Sequence, residues 1–186
     1  RGKESGRAPV RSEISPRNPP SHPHPDPLPS RGRGSTGSEQ SVSALISSIL
    51  LVGAVLVAYA NAFGGDFQFD DYNVIVGNPA VHSLSAWLAD LRGIRPLLKL
   101  TYAVNWISGL GLFGFHLFNV AFHAANGVMV YLLLSRFGGD SGRESRPYET
   151  PAFFAALLFA LHPVQTEAVT YISGRSMSLM AFFYLG

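Results

Sequence analysis

The feature that most constrains this chain is the run VSALISSILLVGAVLVAYANAF, Val42 to Phe63, which holds 22 residues and no charge. At 1.5 Å of rise per residue a helix of that length crosses the roughly 30 Å hydrocarbon core of a bilayer. Serines 43, 47 and 48 are tolerated there because a helix returns their hydroxyls to its own carbonyls. A cleavable signal peptide has a shorter apolar centre, so a transmembrane helix is the reading adopted. Only 14% of the 186 residues are charged, against about 25% in soluble domains, which agrees with a membrane class.

The charge that exists is unevenly placed. Seven of the fourteen Lys and Arg residues precede residue 34, in a Pro, Ser and Gly tract almost without large apolar side chains. Such a tract buries too little surface to offset its ordering entropy, so residues 1–40 are expected to be a disordered tail and residues 41–186 the membrane domain. The formal net charge of +2 thus describes a tail and gives no reason to invoke nucleic acid. The absence of cysteine rules out a disulfide framework and thiolate metal sites. A first residue other than Met and a last residue inside an apolar run lead to the expectation of a piece of a longer protein.

No charged residue occurs between Leu100 and Ser135, too long for one span, but SGLGLFG at 108–114 divides it with three glycines. Leu97 to Ile107 then reads as an interfacial helix, and Phe115 to Leu134 as a second span. His116, Asn119, His123 and Asn126 lie on one face of that span, and polar groups on a membrane helix must face protein or water. Packing explains the stripe; metal or proton carriage is its alternative. Ser83 or Ser85 is expected to cap a short helix before it. PAFFAALLFALHP, from Pro151, is too short to span unless the helix continues through VQTEAVTYISGR, which would align Glu167, Tyr171 and Arg175 on one face. Spans at about 151–170 and, cut short, 176–186 complete an all-α, multi-spanning bundle with an external loop of short helices. Charges flanking the spans place the N-terminus on the cytoplasmic side, and the loop after the first span outside.

That loop begins GGDFQFDDYNVIVGNP, with Asp70 and Asp71 adjacent at the exit of the first helix. One carboxylate at a membrane surface can serve as general base toward a hydroxyl; turn-forming aspartates in a solvated loop are the alternative. Arg95 and Lys99 suit a lipid phosphate at headgroup depth, or simple interfacial anchoring. Glu167 and Arg175, ionisable groups within or beside the bundle, point to a functional or water-lined setting. The segment around His162 and Glu167 falls on the same outer side as the Asp loop, so two polar clusters meet there. A carboxylate pair suits a divalent cation only with further ligands, so no metal is assigned. The sequence has no phosphate loop, nucleophile elbow or zinc spacing.

FQFDDYNVIVGNP, RPLLKLTYAVNW, FGFHLFNVAFHAANGVMVYLLL and above all ALHPVQTEAVTYISGR together resemble the transmembrane and tetratricopeptide-repeat O-mannosyltransferase family and its bacterial relatives, over about residues 45 to 186. The resemblance implies the N-terminal membrane part of a C-type glycosyltransferase. Such an enzyme takes a sugar, with mannose the first candidate, from a polyprenyl-phosphate lipid to a hydroxyl of a protein or lipid acceptor on the non-cytoplasmic side of an endoplasmic reticulum or bacterial inner membrane. It implies Asp70 or Asp71 as catalytic base, Arg95, Lys99 and Arg175 as donor-phosphate contacts, and His162 and Glu167 lining the same cavity. The later helices and the repeats of that family are absent, so this piece alone is expected to be inactive. A non-catalytic transporter or assembly scaffold, with Glu167, Arg175 and the histidine stripe along a path or interface, is the alternative.

Overall fold

The structure, a computed structural model, describes Gly2 and residues 37–137 and 150–186. Among them every regular element is helical. The first helix, α1, is Gly37–Ala58. It starts inside the expected tail, because helical hydrogen bonding propagates beyond the apolar residues through side chains of moderate propensity. The rest of that tail, Gly2 apart, and residues 138–149, with Arg143 and Arg146, lie outside the described residues. α1 ends short of Phe63, and Ala60–Gly64 tightens into a 3-10 turn.

The loop that follows has local structure. A π-helical turn covers Tyr72–Val76 directly after the paired aspartates, and Asn78 caps a 3-10 turn at Pro79–Val81. The Ser83 hydroxyl accepts from the Ala86 N–H and starts the short helix α2, Leu84–Ala89. Pro96 opens α3, Pro96–Ile107, where its missing N–H costs nothing. Gly109 and Gly111, at φ 72° and 56°, supply the left-handed backbone that separates α3 from α4, Gly111–Phe137.

α4 is the axis of the fold. α1 runs antiparallel to it: Leu51 shares a cluster with Tyr131, and Val55 and Tyr59 share one with Val120 and Ala124. The helix α5, Pro151–Leu161, is capped by Thr150 and returns along α4 from Phe153 beside Tyr131 to Ala160 beside His123. Gly127 lets the two approach, since a Cβ there would stand 3.4 Å from that of Ala160. Small residues do this where hydrocarbon removes the hydrophobic drive between helices.

The expected continuous helix from Pro151 through Arg175 is not what forms. His162 is extended at ψ 132°, Pro163–Gln165 is a 3-10 turn, α6 covers only Thr166–Thr170, and α7 is Arg175–Leu185. Proline disfavours helical backbone in the residue before it and lacks the N–H that a continuing helix needs. Tyr171, at ψ 123°, makes the second break. Glu167 and Arg175 therefore do not share a helix face. Among the described residues two helices, through Ser41–Ala58 and Gly111–Phe137, are long and apolar enough to cross a membrane; α5 with Pro163–Thr170 adds a third only as one span bent by 47°.

This course brings the C-terminal end of α1, the Asp loop, α3, the N-terminal end of α4 and the turn at 171–174 to one end of the helices. Phe63 packs against Phe113 with ring centroids 5.2 Å apart, and Ile75, Val81, Tyr102, Phe115 and Ile172 form one buried cluster there.

Candidate functional site

The two adjacent aspartates have opposite surroundings. Asp71 is fully buried, and its carboxylate accepts from the backbone N–H of Gln68 at 3.0 Å and from that of Ser173 at 2.8 Å. It thereby ties the loop after α1 to the turn before α7, across a hundred residues of sequence. Asp70 is exposed. Its own N–H donates to the Tyr171 hydroxyl at 3.0 Å, a second tie to the same turn. The chain at 68–73 is thus held at both aspartates while only the Asp70 carboxylate faces outward.

Beneath this loop lies Arg175, with no exposed surface. Its Nε donates to Asn119 Oδ1 at 2.7 Å, Nη1 to Thr101 Oγ1 at 3.1 Å and Nη2 to the Phe115 carbonyl at 2.9 Å. The rings of Tyr102, Phe118 and Phe115 surround the guanidinium at 4.8, 5.2 and 5.5 Å. Burial lowers its pKa to about 10, against the favourable fields of Tyr102 and Asp71, so the cation persists at neutral pH. Burial likewise raises the Tyr102 phenol to about 12.

Asn119 joins the same assembly by donating to the Tyr171 carbonyl at 3.0 Å. The rest of the polar stripe is also buried: His123 Nε2 meets the Ala160 carbonyl at 2.8 Å, Asn126 donates to Ser178 at 2.8 Å, and His116 packs against Gly65. Three of the four stripe residues therefore tie α4 to backbone carbonyls of the C-terminal segments.

The remaining candidates sit further out. Arg95 is exposed at the start of α3, and Lys99 is paired with Asp90. His162 is exposed and accepts the Val164 N–H at 3.2 Å. Glu167 is exposed in the first turn of α6. The apolar groove of about 240 Å³ lined by Phe118, Phe122 and Phe182 contains neither of these last two. Among the described residues no three His, Asp or Glu side chains gather as a metal site would need. Both Asp71 oxygens already accept N–H groups, so the pair does not offer a chelating set.

Sequence reasoning did not single out Tyr171 or Ser173 as partners of the acidic pair. A backbone N–H leaves no signature in residue types; the one available hint was the proximity of polar clusters that the topology implied. Arg175 was found as a charge in the bundle, and Asn119 as part of a stripe, without the bond that joins them.

No protein-family model matches the chain, and no solved structure is significantly similar to it. Named relatives do exist. The chain is 35% identical over 159 residues to human "Protein O-mannosyl-transferase TMTC4", an alignment covering 73% of this chain and 22% of that protein. It is 31% identical over 165 residues to Caenorhabditis elegans "Protein O-mannosyl-transferase F38B6.6", covering 80% and 23%. With human "Protein O-mannosyl-transferase TMTC1" it shares 32% over 177 residues, covering 86% and 19%. The chain spans about a fifth of the length of these relatives. Identity at this level over most of the chain places it in the TMTC family of protein O-mannosyl-transferases.

Proposed function

We propose that the chain is part of a multi-pass membrane glycosyltransferase that moves a sugar, mannose by the names of its relatives, from a polyprenyl-phosphate donor to a hydroxyl of a protein acceptor. The chemistry takes place on the non-cytoplasmic side, at the end of the bundle where the Asp loop lies, with the N-terminus cytoplasmic and the membrane that of the endoplasmic reticulum or a bacterial cell. The observation that carries the reading is the division of labour in the aspartate pair: Asp71 is locked by two N–H donors, and Asp70 is presented to solvent from that fixed frame.

In the reaction, the acceptor oxygen attacks the anomeric carbon as the bond from that carbon to the lipid phosphate breaks. The electron pair leaves with the phosphate, the configuration inverts, and the hydroxyl proton passes to the Asp70 carboxylate. Asp70 is the base and Asp71 positions it. Arg95, the exposed cation of the three phosphate candidates, meets the leaving phosphate. Lys99 is held by Asp90 beside it, and Arg175 acts from below through the loop it supports. His162 and Glu167 border the acceptor side, and no step passes through a metal.

A transporter would need ionisable groups along its spans. Within Ser41–Ala58 and Gly111–Phe137 these are His116, His123 and Arg136; His123 is taken up by the Ala160 carbonyl, Arg136 is next to the last residue, and neither range holds a carboxylate, which supports surface chemistry instead. The test is sugar transfer by the full-length protein in proteoliposomes containing polyprenyl-phosphate mannose. Asp70→Asn abolishes transfer with folding retained; full activity in that variant refutes the assignment.

A further inference from the structure

Among the described residues two that are not glycine have left-handed backbone, Phe69 at φ 41° and Arg95 at 56°. For an L-residue this region costs about 1–2 kcal/mol, and bulky side chains adopt it rarely. Such strain persists only where the surroundings over-determine it, and it clusters at functional sites. Phe69 immediately precedes Asp70, and its conformation is fixed from both sides. The Gln68 carbonyl accepts from the Asp71 N–H at 2.8 Å, the Phe69 carbonyl from the Tyr72 N–H at 3.3 Å, and the Asp70 N–H reaches Tyr171.

The phenyl ring itself gives nothing back to the fold, because Phe69 is 84% exposed. Glycine would satisfy that backbone without strain. The chain instead holds a large apolar ring outward from a strained position, one residue from the carboxylate.

We infer that Phe69 is a specificity residue for the acceptor polypeptide, making an apolar contact with the side chain beside the hydroxyl that receives the sugar. The inference rests on Asp70 being the base. A general base must come within about 2.6–3.2 Å of its hydroxyl. Phe69 and Asp70 are both exposed on this loop with neighbouring Cα atoms about 3.8 Å apart, which puts the ring within reach of what flanks that hydroxyl. In an inverting displacement the nucleophile and the leaving phosphate lie on opposite faces of the sugar. The base and its neighbour are therefore on the acceptor side, away from the lipid.

The experiment uses the full-length protein in proteoliposomes with polyprenyl-phosphate mannose and two threonine peptides that differ only in carrying Leu or Gly beside the threonine. Wild type is expected to favour the Leu peptide in kcat/KM by about tenfold, the scale of one apolar contact. Phe69→Gly brings that ratio close to one, leaves the KM for the lipid donor unchanged and does not lower Tm, while Phe69→Leu keeps part of the preference. Retention of the wild-type ratio in Phe69→Gly, a rise confined to the donor KM, or a fall in Tm overturns the inference. Asp70→Asn, run alongside, separates the two claims. If that variant is active the base assignment falls and this inference with it; if it is inactive while Phe69→Gly behaves as wild type, only the role of Phe69 falls.

Discussion

Replacing each aspartate of the pair by its isosteric amide should separate stability from chemistry. Asp71 has no exposed surface and accepts two backbone N–H groups, from Gln68 and Ser173. An asparagine keeps one acceptor oxygen, but its NH2 group must face the other N–H, donor against donor. The loss is one hydrogen bond to a charged acceptor, about 1.5–3 kcal/mol, plus part of the cost of an unpaired buried N–H. Asp71→Asn is therefore expected to destabilise the fold by about 2–4 kcal/mol, a fall in Tm of roughly 5–15 °C at this chain length. Asp70→Asn changes an exposed side chain and should leave Tm within about 1–2 °C of wild type. Thermal unfolding of the three proteins in the same detergent reads the difference, and hydrogen exchange at the Ser173 amide localises it, because that N–H loses protection only when the latch opens. Equal Tm values for the two variants, or unchanged protection of Ser173 in Asp71→Asn, would refute the division of roles on which the proposed site depends.

Three other outcomes follow from the same region. Gly174→Ala should destabilise by about 1–3 kcal/mol in chemical denaturation, since its Cβ would stand 2.5 Å from the Glu167 carbonyl oxygen, which belongs to backbone that cannot swing aside. Arg175→Lys keeps the charge but cannot reproduce three donors in one plane, so Asn119 and the Phe115 carbonyl lose partners; a drop of about 3–5 kcal/mol is expected by denaturant midpoint. The Tyr102 phenol, raised from 10.0 to about 12, makes a contribution that is complete below pH 10 and lost as pH rises toward 12. Tyrosinate absorbance should show a late phase, and Tyr102→Phe should lower its amplitude by one phenol.

Much of this architecture is legible from residue types, and the exceptions have specific causes. The uncharged run after Val42 and the three glycines at 109, 111 and 114 announce α1, α3 and α4, because hydropathy and glycine act locally. The stripe from His116 to Asn126 announces a buried face for the same reason. Periodicity misleads at Glu167, Tyr171 and Arg175, whose four-residue spacing mimics a helix that Pro163 and the turn at 171–174 interrupt. The paired aspartates read as equals because residue identity is the same at both positions. What distinguishes them is the Ser173 N–H, brought in by a chain reversal over a hundred residues away, and a backbone donor has no letter of its own.

The buried charge of Arg175 belongs in the same account as the aspartates. A guanidinium with no exposed surface loses several kcal/mol of hydration, and a carboxylate beside it in ordinary ion-pair geometry would be the cheapest compensation. The fold does not use one: the nearest acceptors are an amide, a hydroxyl and a carbonyl, supplemented by three aromatic faces. Asp71 contributes through its field, while both its oxygens remain committed to backbone N–H groups. Had the two groups paired directly, Asp71 would have been drawn down toward the arginine and could not also have held Gln68 and Ser173. Keeping them apart lets one buried positive charge offset a buried negative one while each performs separate mechanical work, Arg175 joining α3, α4 and α7, and Asp71 fixing the loop above them. The exposed carboxylate of Asp70 then stands on a support whose own charges are balanced internally.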